Sequence, residues 1–200
     1  MNDRLLGTIA MICASALLIE GLLLRGQENA SITGVASMVF MGGWICTNIG
    51  MWRMRATGTG KWAYAVLLIQ LVGLVLAFIF GFLESTGLLG RESIIFSITD
   101  AAWPLSMLWM IVVGITVVRA KELSGWRRFV PLLCPLWLAI AIVGDIAFGA
   151  VGGVIGVGYA AVLWALLDYV VAHGNSRQAR PGSPSARRSI KRSRGRDPSV

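Results

Sequence analysis

Charged side chains are scarce in this chain, at 14% of the residues, and long stretches contain no basic residue at all. A typical water-soluble domain carries about 25% charged residues. Hydrophobic residues make up 56% of the chain, and its mean hydropathy is +0.72. The apolar stretches are hydrophobic around the whole helical circumference, so they present no polar face to water. These absences exclude a soluble domain and indicate an integral membrane protein.

Residues that build metal, disulfide and catalytic sites are equally few. The chain has one histidine and three cysteines, and each cysteine lies inside an apolar stretch without a C-x-x-C spacing. No H-E-x-x-H or G-x-S-x-G motif is present, and no phosphate-binding signature. The sequence therefore predicts no metal, no cofactor and no enzymatic activity.

A hydrocarbon core about 30 Å thick needs about 20 apolar residues in one helix. By that measure the fold is predicted to be all-α: a polytopic integral membrane helical bundle with six transmembrane helices in residues 1–172. A disordered basic tail is predicted for residues 173–200. The spans are predicted at residues 5–24, 32–52, 62–83, 94–118, 129–149 and 151–171. Because the joints between them are short, consecutive helices should pack as antiparallel neighbours.

Positive charge is concentrated on one side of the predicted membrane. Sixteen of the eighteen lysines and arginines lie on the side that also holds both termini, and only Arg25 and Arg91 lie on the other. Because short basic loops stay in the cytoplasm during insertion, both termini are predicted to be cytoplasmic, in a prokaryotic plasma membrane. The first apolar run is too long for the core of a cleavable signal, so it is predicted to remain as a helix.

Three acidic side chains lie inside the apolar stretches, where a charge is unfavourable and by default marks a functional site. Glu20, Asp100 and Asp145 all fall in the outer third of the predicted membrane. They predict an outward-facing acidic pocket for a proton, a cation or an amine. Trp103 shares a helix face with Asp100 and would form an aromatic wall beside it. The alternatives are that these acids pair with the two outer arginines or stay protonated.

Other polar residues inside the spans are assigned no ligand. Asn48 and Gln70 are expected to form hydrogen bonds between helices. Asp168 is expected to lie about one turn from the cytoplasmic interface, within reach of the tail cations. Prolines inside or near the fourth and fifth spans predict kinks there, at Pro104, Pro131 and Pro135.

Small residues recur at helical spacing in two spans. They are Gly7, Ala14 and Gly21 in the first span and Gly152, Gly156 and Ala160 in the sixth. Small side chains let helix backbones approach closely within a membrane. We expect both seams to pack inside the bundle; a dimer face or a contact with a partner membrane protein is the alternative.

The C-terminal tail carries a dense group of cations, namely Arg187, Arg188, Lys191, Arg192, Arg194 and Arg196. An anionic leaflet attracts such residues by up to about 1 kcal/mol each. The tail is therefore predicted to bind anionic lipid headgroups. Specific nucleic-acid binding is not expected, because no folded basic domain with stacking aromatics is present.

Two functions remain open after this reading. The first is a transporter-like or sensing protein that uses the acidic pocket. The second is a structural or accessory membrane subunit that packs with partner helices or its own copies and binds lipid through its tail. Convergence of the acids around a water-filled funnel would favour the first function, and acids splayed toward separate headgroup regions would favour the second.

Overall fold

The structure is a computed structural model of the chain, and it describes residues 3–19 and 30–174. The predicted site residue Glu20, the loop cation Arg25 and the tail cations lie outside these ranges. Within them, the regular elements are helical. They are α1 (Asp3–Leu18), α2 (Ala30–Arg53), α3 (Lys61–Thr86), α4 (Ile94–Ala120), α5 (Val130–Leu133), α6 (Leu136–Phe148) and α7 (Ala150–His173), with a 3-10 helix at Gly125–Phe129 before α5.

Four of these helices, α2, α3, α4 and α7, are long and apolar enough to cross a membrane. The 3-10 helix and α5 form, together with α6, a fifth apolar unit that is bent by 54°. Helix α1 is apolar but shorter, and the first predicted span, residues 5–24, is described only as far as residue 19. The structure therefore supports four or five of the six predicted crossings.

The fifth predicted span, residues 129–149, is divided into two helical parts bent by 54°, and this confirms the kink predicted near Pro131 and Pro135. Proline lacks a backbone N–H and its ring clashes with the preceding turn, so a helix interior tolerates it poorly. The regular helix breaks after Leu133, just before Pro135, and resumes at Leu136 as α6. Helix α4, by contrast, continues through Pro104 as a single element.

The helices form a closed ring. Helices that are consecutive in sequence pack against each other, as the short joints predicted, and α1 also packs along α7. The order around the ring is therefore α1, α2, α3, α4, then α5 with α6, then α7. We call the end with the α2–α3 and α4–α5 connections the basic end, because Arg53, Lys61 and Arg119 lie there. The opposite end holds the α3–α4 and α6–α7 connections.

Small residues of both predicted seams make close helix contacts inside the chain, while Gly21 of the first seam lies outside the described residues. Gly7 of α1 lies against the α7 backbone at Asp168 and Ala172, and Gly152 of α7 lies against Gly144 of α6. The turn from α6 into α7 consists of Gly149 alone, at φ +59°. A residue with a side chain rarely adopts that conformation, so glycine allows the two helices to reverse direction within one residue.

The outward surface of the ring is strongly apolar. Ile146 is 82% exposed, Ile94 72% and Phe148 70%. Soluble monomers rarely expose continuous apolar patches of this kind, whereas lipid tails accept them. The described helices are therefore compatible with a membrane location.

Candidate ligand-binding cavity

A cavity of about 280 Å³ lies inside the ring, and α1, α2, α3, α4, α6 and α7 all contribute to its wall. Apolar side chains from α1 and α7 line part of it. The acidic and aromatic residues of the wall are Phe40, Phe80, Glu84, Asp100, Trp103 and Trp137. The volume is close to the lower end of small-molecule sites, about 300 Å³.

Two of the predicted site residues, Asp100 and Trp103, line this cavity. They are three residues apart on α4, which places them on one face of the helix. Asp100 is exposed, and Trp103 is half-buried against the core of the ring. The predicted aromatic wall beside the acid is therefore present. Ligand binding by this pair stays a prediction.

A second carboxylate reaches the same cavity from Glu84, which the sequence analysis left outside the predicted span 62–83. Helix α3 continues to Thr86, so Glu84 is helical and half-buried. It lies within electrostatic range of Asp100, which repels it, and of Arg91, which attracts it. Two like charges sharing one site favour a proton or a cation between them.

Aromatic rings make up much of the remaining wall. Trp103 and Trp137 pack edge to face, with centroids 6.0 Å apart and ring planes at 71°. The Trp137 N–H points to Met107 Sδ at 3.4 Å, so it is engaged within the protein. Phe80 is held edge to face against Phe96, with centroids 5.2 Å apart. The faces of such rings carry negative partial charge and attract cations.

Asp145, another of the predicted acids, does not add to this wall. Asp145 is exposed near the end of α6, and it is not among the residues that line the cavity. Its carbonyl oxygen accepts a hydrogen bond of 2.8 Å from the Gly149 N–H at the helix end. Glu20 lies outside the described residues. Of the three predicted acids, the structure therefore brings only Asp100 into the cavity, where Glu84 joins it.

Three packed aromatic rings separate the cavity from a crevice nearer the basic end. The Trp44 and Trp164 ring centroids are 4.4 Å apart, and the Phe40 centroid lies 5.9 and 5.8 Å from them. Phe40 lines both spaces. We call these three residues the aromatic cluster. The crevice beyond it is too narrow for a water-sized sphere, and Thr47 and Asp168 lie in its wall.

Asp168, predicted about one turn from the cytoplasmic interface, is buried at 3% exposure, and the tail cations predicted within its reach lie outside the described residues. The Thr47 hydroxyl contacts Asp168 Oδ1, and it also lies 3.1 Å from the Gly43 carbonyl oxygen. Among the described residues, no lysine, arginine or histidine lines this crevice. Asp168 is thus a buried acid that sequence reasoning missed.

Several buried polar groups on α2 and α7 have no hydrogen-bond partner among the described residues, and two of them, on Trp44 and Trp164, line the same crevice as Asp168. They are the indole N–H groups of Trp44 and Trp164 and the side-chain amide of Asn48. The interhelical bond expected for Asn48 is therefore absent, and that prediction is wrong. The one expected for Gln70 is confirmed, because its amide donates to the Ser106 carbonyl at 3.3 Å.

Comparison with known proteins adds no assignment. The chain matches no protein-family model, no curated protein and no solved structure. Within the described ranges, no group of three or more histidine, cysteine or acidic side chains is arranged to hold a metal ion. Function must therefore be argued from the chemistry of the cavity itself.

Proposed function

We propose that this chain is a non-enzymatic membrane protein that binds a small organic cation, an amine or a quaternary ammonium, in its central cavity and transports or senses it. The observation that carries this proposal is one space of about 280 Å³ walled by two carboxylates and four aromatic rings. Carboxylates supply opposite charge, and aromatic faces attract a weakly hydrated cation.

The chemistry of the wall favours this ligand class over others. A divalent metal ion prefers about six oxygen ligands, whereas this wall is mostly apolar. An anion would be repelled by Glu84 and Asp100. A neutral apolar ligand would bring no positive charge to Glu84 and Asp100 beyond the attraction that Arg91 already exerts on Glu84, which is unfavourable in a site of low polarity. An amine with an apolar body would contact the carboxylates through its charged group and the aromatic rings through its apolar part.

The direction of access follows from the distribution of charge. Glu84 is two residues from the end of α3, and Asp100 is six residues after the start of α4. Both acids thus lie near the end opposite the basic end. If the basic end faces the cytoplasm, as the positive-inside rule predicts, the cavity takes its ligand from outside the cell.

Calorimetric titration of the purified protein with choline tests the proposal. The matched control ligand is 3,3-dimethyl-1-butanol, in which carbon replaces the ammonium nitrogen. We expect choline to bind at least about tenfold more tightly, a difference of ~1.4 kcal/mol. Asp100→Asn and Glu84→Gln should each weaken choline binding by about tenfold, because each removes one charge from the wall. Asp145→Asn should leave binding unchanged, because Asp145 lies outside the wall.

Two results would contradict the proposal. One is equal affinity for the charged and the uncharged ligand, which would show that the wall does not select a cation. The other is an Asp145→Asn variant that weakens choline as much as Asp100→Asn does. Absence of binding by choline, tetramethylammonium and benzyltrimethylammonium alike would favour the structural or accessory role instead.

A further inference from the structure

We propose that Asp168 is a proton-binding site. In the described conformation its carboxyl group is protonated, and the carboxyl O–H donates a hydrogen bond to the Thr47 hydroxyl oxygen. This proton is released to and taken up from solution at the basic end. The site lies on the far side of the aromatic cluster from the cavity. It does not depend on the ligand proposed above.

The first argument is the number of protons available to Thr47. Its hydroxyl oxygen contacts both Asp168 Oδ1 and the Gly43 carbonyl. A hydroxyl group has one hydrogen to donate, and a carbonyl oxygen can only accept. If Asp168 were a carboxylate, only one of the two contacts could be a hydrogen bond at a time. Both are satisfied together when Asp168 donates to Thr47 and Thr47 donates to Gly43.

The second argument is the absence of a compensating cation in the described crevice. A buried carboxylate is unfavourable unless a cation or several donors offset its charge. Three thiols interact electrostatically with Asp168 from neighbouring elements, and thiols are uncharged near neutral pH: Cys13 of α1, Cys46 of α2 and Cys134 between α5 and α6. Arg4 on α1 and His173 on α7 are nearer the basic end.

The third argument is that the crevice can also accommodate the charged form. When the proton leaves, the Thr47 hydroxyl can rotate from the Gly43 carbonyl to the carboxylate. Trp44 and Trp164 line the same crevice, and their N–H groups have no partner among the described residues. Buried donors are normally paired in folded proteins. These two N–H groups are therefore available to donate hydrogen bonds to the ionised carboxylate. Both protonation states of Asp168 thus have hydrogen-bond partners in the crevice.

Because the crevice is so small, it can bind a proton but not a metal cation. A sodium or calcium ion needs a space lined by several oxygen ligands. This crevice does not admit a water-sized sphere, and in the described part of the chain its side-chain oxygens belong to Thr47 and Asp168 alone. A proton needs no additional volume.

The position of Asp168 along the bundle indicates that its proton exchanges with solution at the basic end. Asp168 is five residues before the end of α7 at His173, or about 7.5 Å along the axis. In the other direction, the aromatic cluster lies between it and the cavity. The shorter path to solution therefore runs toward the basic end.

Infrared difference spectroscopy of the full-length protein in lipid nanodiscs tests this site between about pH 5 and about pH 9. We expect a carbonyl stretching band of a protonated carboxyl group that loses intensity reversibly as the pH rises. In a background with Asp100→Asn and Glu84→Gln, where the cavity acids cannot contribute, Asp168→Asn should remove this band completely. Asp145→Asn, which changes an exposed acid at the other end of the bundle, should retain it.

Substitutions at Thr47 test the hydrogen bond itself. Thr47→Val removes the acceptor and should shift the frequency of the band, whereas Thr47→Ser keeps the hydroxyl and should leave it unchanged. The two Thr47 variants test whether protonated Asp168 donates a hydrogen bond to Thr47 even if Asp168→Asn does not fold. The proposal is overturned if the band survives in folded Asp168→Asn in the background without the cavity acids, if its intensity is constant over the whole pH range, or if Thr47→Val leaves its frequency unchanged. Loss of the band on adding sodium at constant pH would show a metal-cation site instead.

Discussion

Replacing Gly7 with alanine should destabilise the protein by opening the contact that closes the ring. A Cβ atom at Gly7 would lie 2.6 Å from the Ala172 amide nitrogen and 2.6 Å from the Asp168 carbonyl oxygen. Ordinary van der Waals contact begins near 3.4 Å. Helices α1 and α7 would therefore have to separate by about 0.8 Å, which weakens the dispersion contacts along their interface.

The size of the effect follows from the type of atoms that would clash. Adding a methyl group to a well-packed interface typically costs about 1–3 kcal/mol. At Gly7 the two nearest atoms belong to the backbone, and neither can swing aside as a flexible side chain would. We therefore expect a cost of about 2–3 kcal/mol, offset by up to about 1 kcal/mol from the better helix propensity of alanine. The net loss of ~1.5 kcal/mol corresponds to a fall in Tm of about 3–6 °C.

Gly158→Ala is the matched control, because Gly158 lies on α7 and a Cβ there would meet nothing within 4 Å. It should leave Tm unchanged or raise it slightly. Thermal unfolding of both variants in the same nanodiscs, followed by circular dichroism, makes the comparison. Equal Tm values for the two variants would refute the packing of α1 on α7 at Gly7, and with it the closed ring.

Two further predictions concern membrane topology and the tail. The native cysteines are first replaced by alanine. In that background, Thr59→Cys should react with an impermeant thiol reagent only from the cytoplasmic side, and Leu88→Cys only from outside. The reverse pattern would refute the orientation. A synthetic peptide of residues 175–200 should bind vesicles that contain phosphatidylserine and lose at least about tenfold in affinity when salt is raised from about 0.01 M to about 0.15 M. Salt-independent binding would contradict the headgroup role of the tail.

Helix positions could be predicted well because long apolar runs are a strong signal. The predicted spans 62–83, 94–118 and 151–171 correspond to helices that begin within one residue of the prediction and end within three. The bend in the fifth span could be predicted from Pro131 and Pro135, whereas Pro104 does not interrupt α4, because some helices tolerate proline. The packing of α1 on α7 joins segments far apart in sequence, so no local pattern reports it.

The cavity and crevice residues were predicted only in part. The sequence did not reveal how far α3 extends past its apolar run, or which side of α7 faces the inside of the ring. Asp100 and Trp103 follow from spacing on one helix, so sequence sufficed to place them side by side. Glu84 was missed because α3 extends three residues past its apolar run. Asp168 was assigned to the interface from its distance to the helix end. That distance gives depth, whereas burial depends on which side of α7 faces α1 and α2.

The distribution of unpaired polar groups gives independent support for the importance of the Asp168 region. Of the seven buried side-chain atoms without a partner in the described ranges, four belong to Trp44, Asn48 and Trp164 on α2 and α7. The α3–α4 interface holds two of the other three, Gln70 Oε1 and Ser106 Oγ, although Trp109 donates to the Val66 carbonyl at 2.9 Å and the Gln70 amide donates to the Ser106 carbonyl at 3.3 Å. Each unsatisfied buried group costs about 1–3 kcal/mol. The two indole N–H groups lie in the wall of the crevice that holds Asp168. A need for donors when that acid is ionised explains these two unpaired groups better than stability alone does.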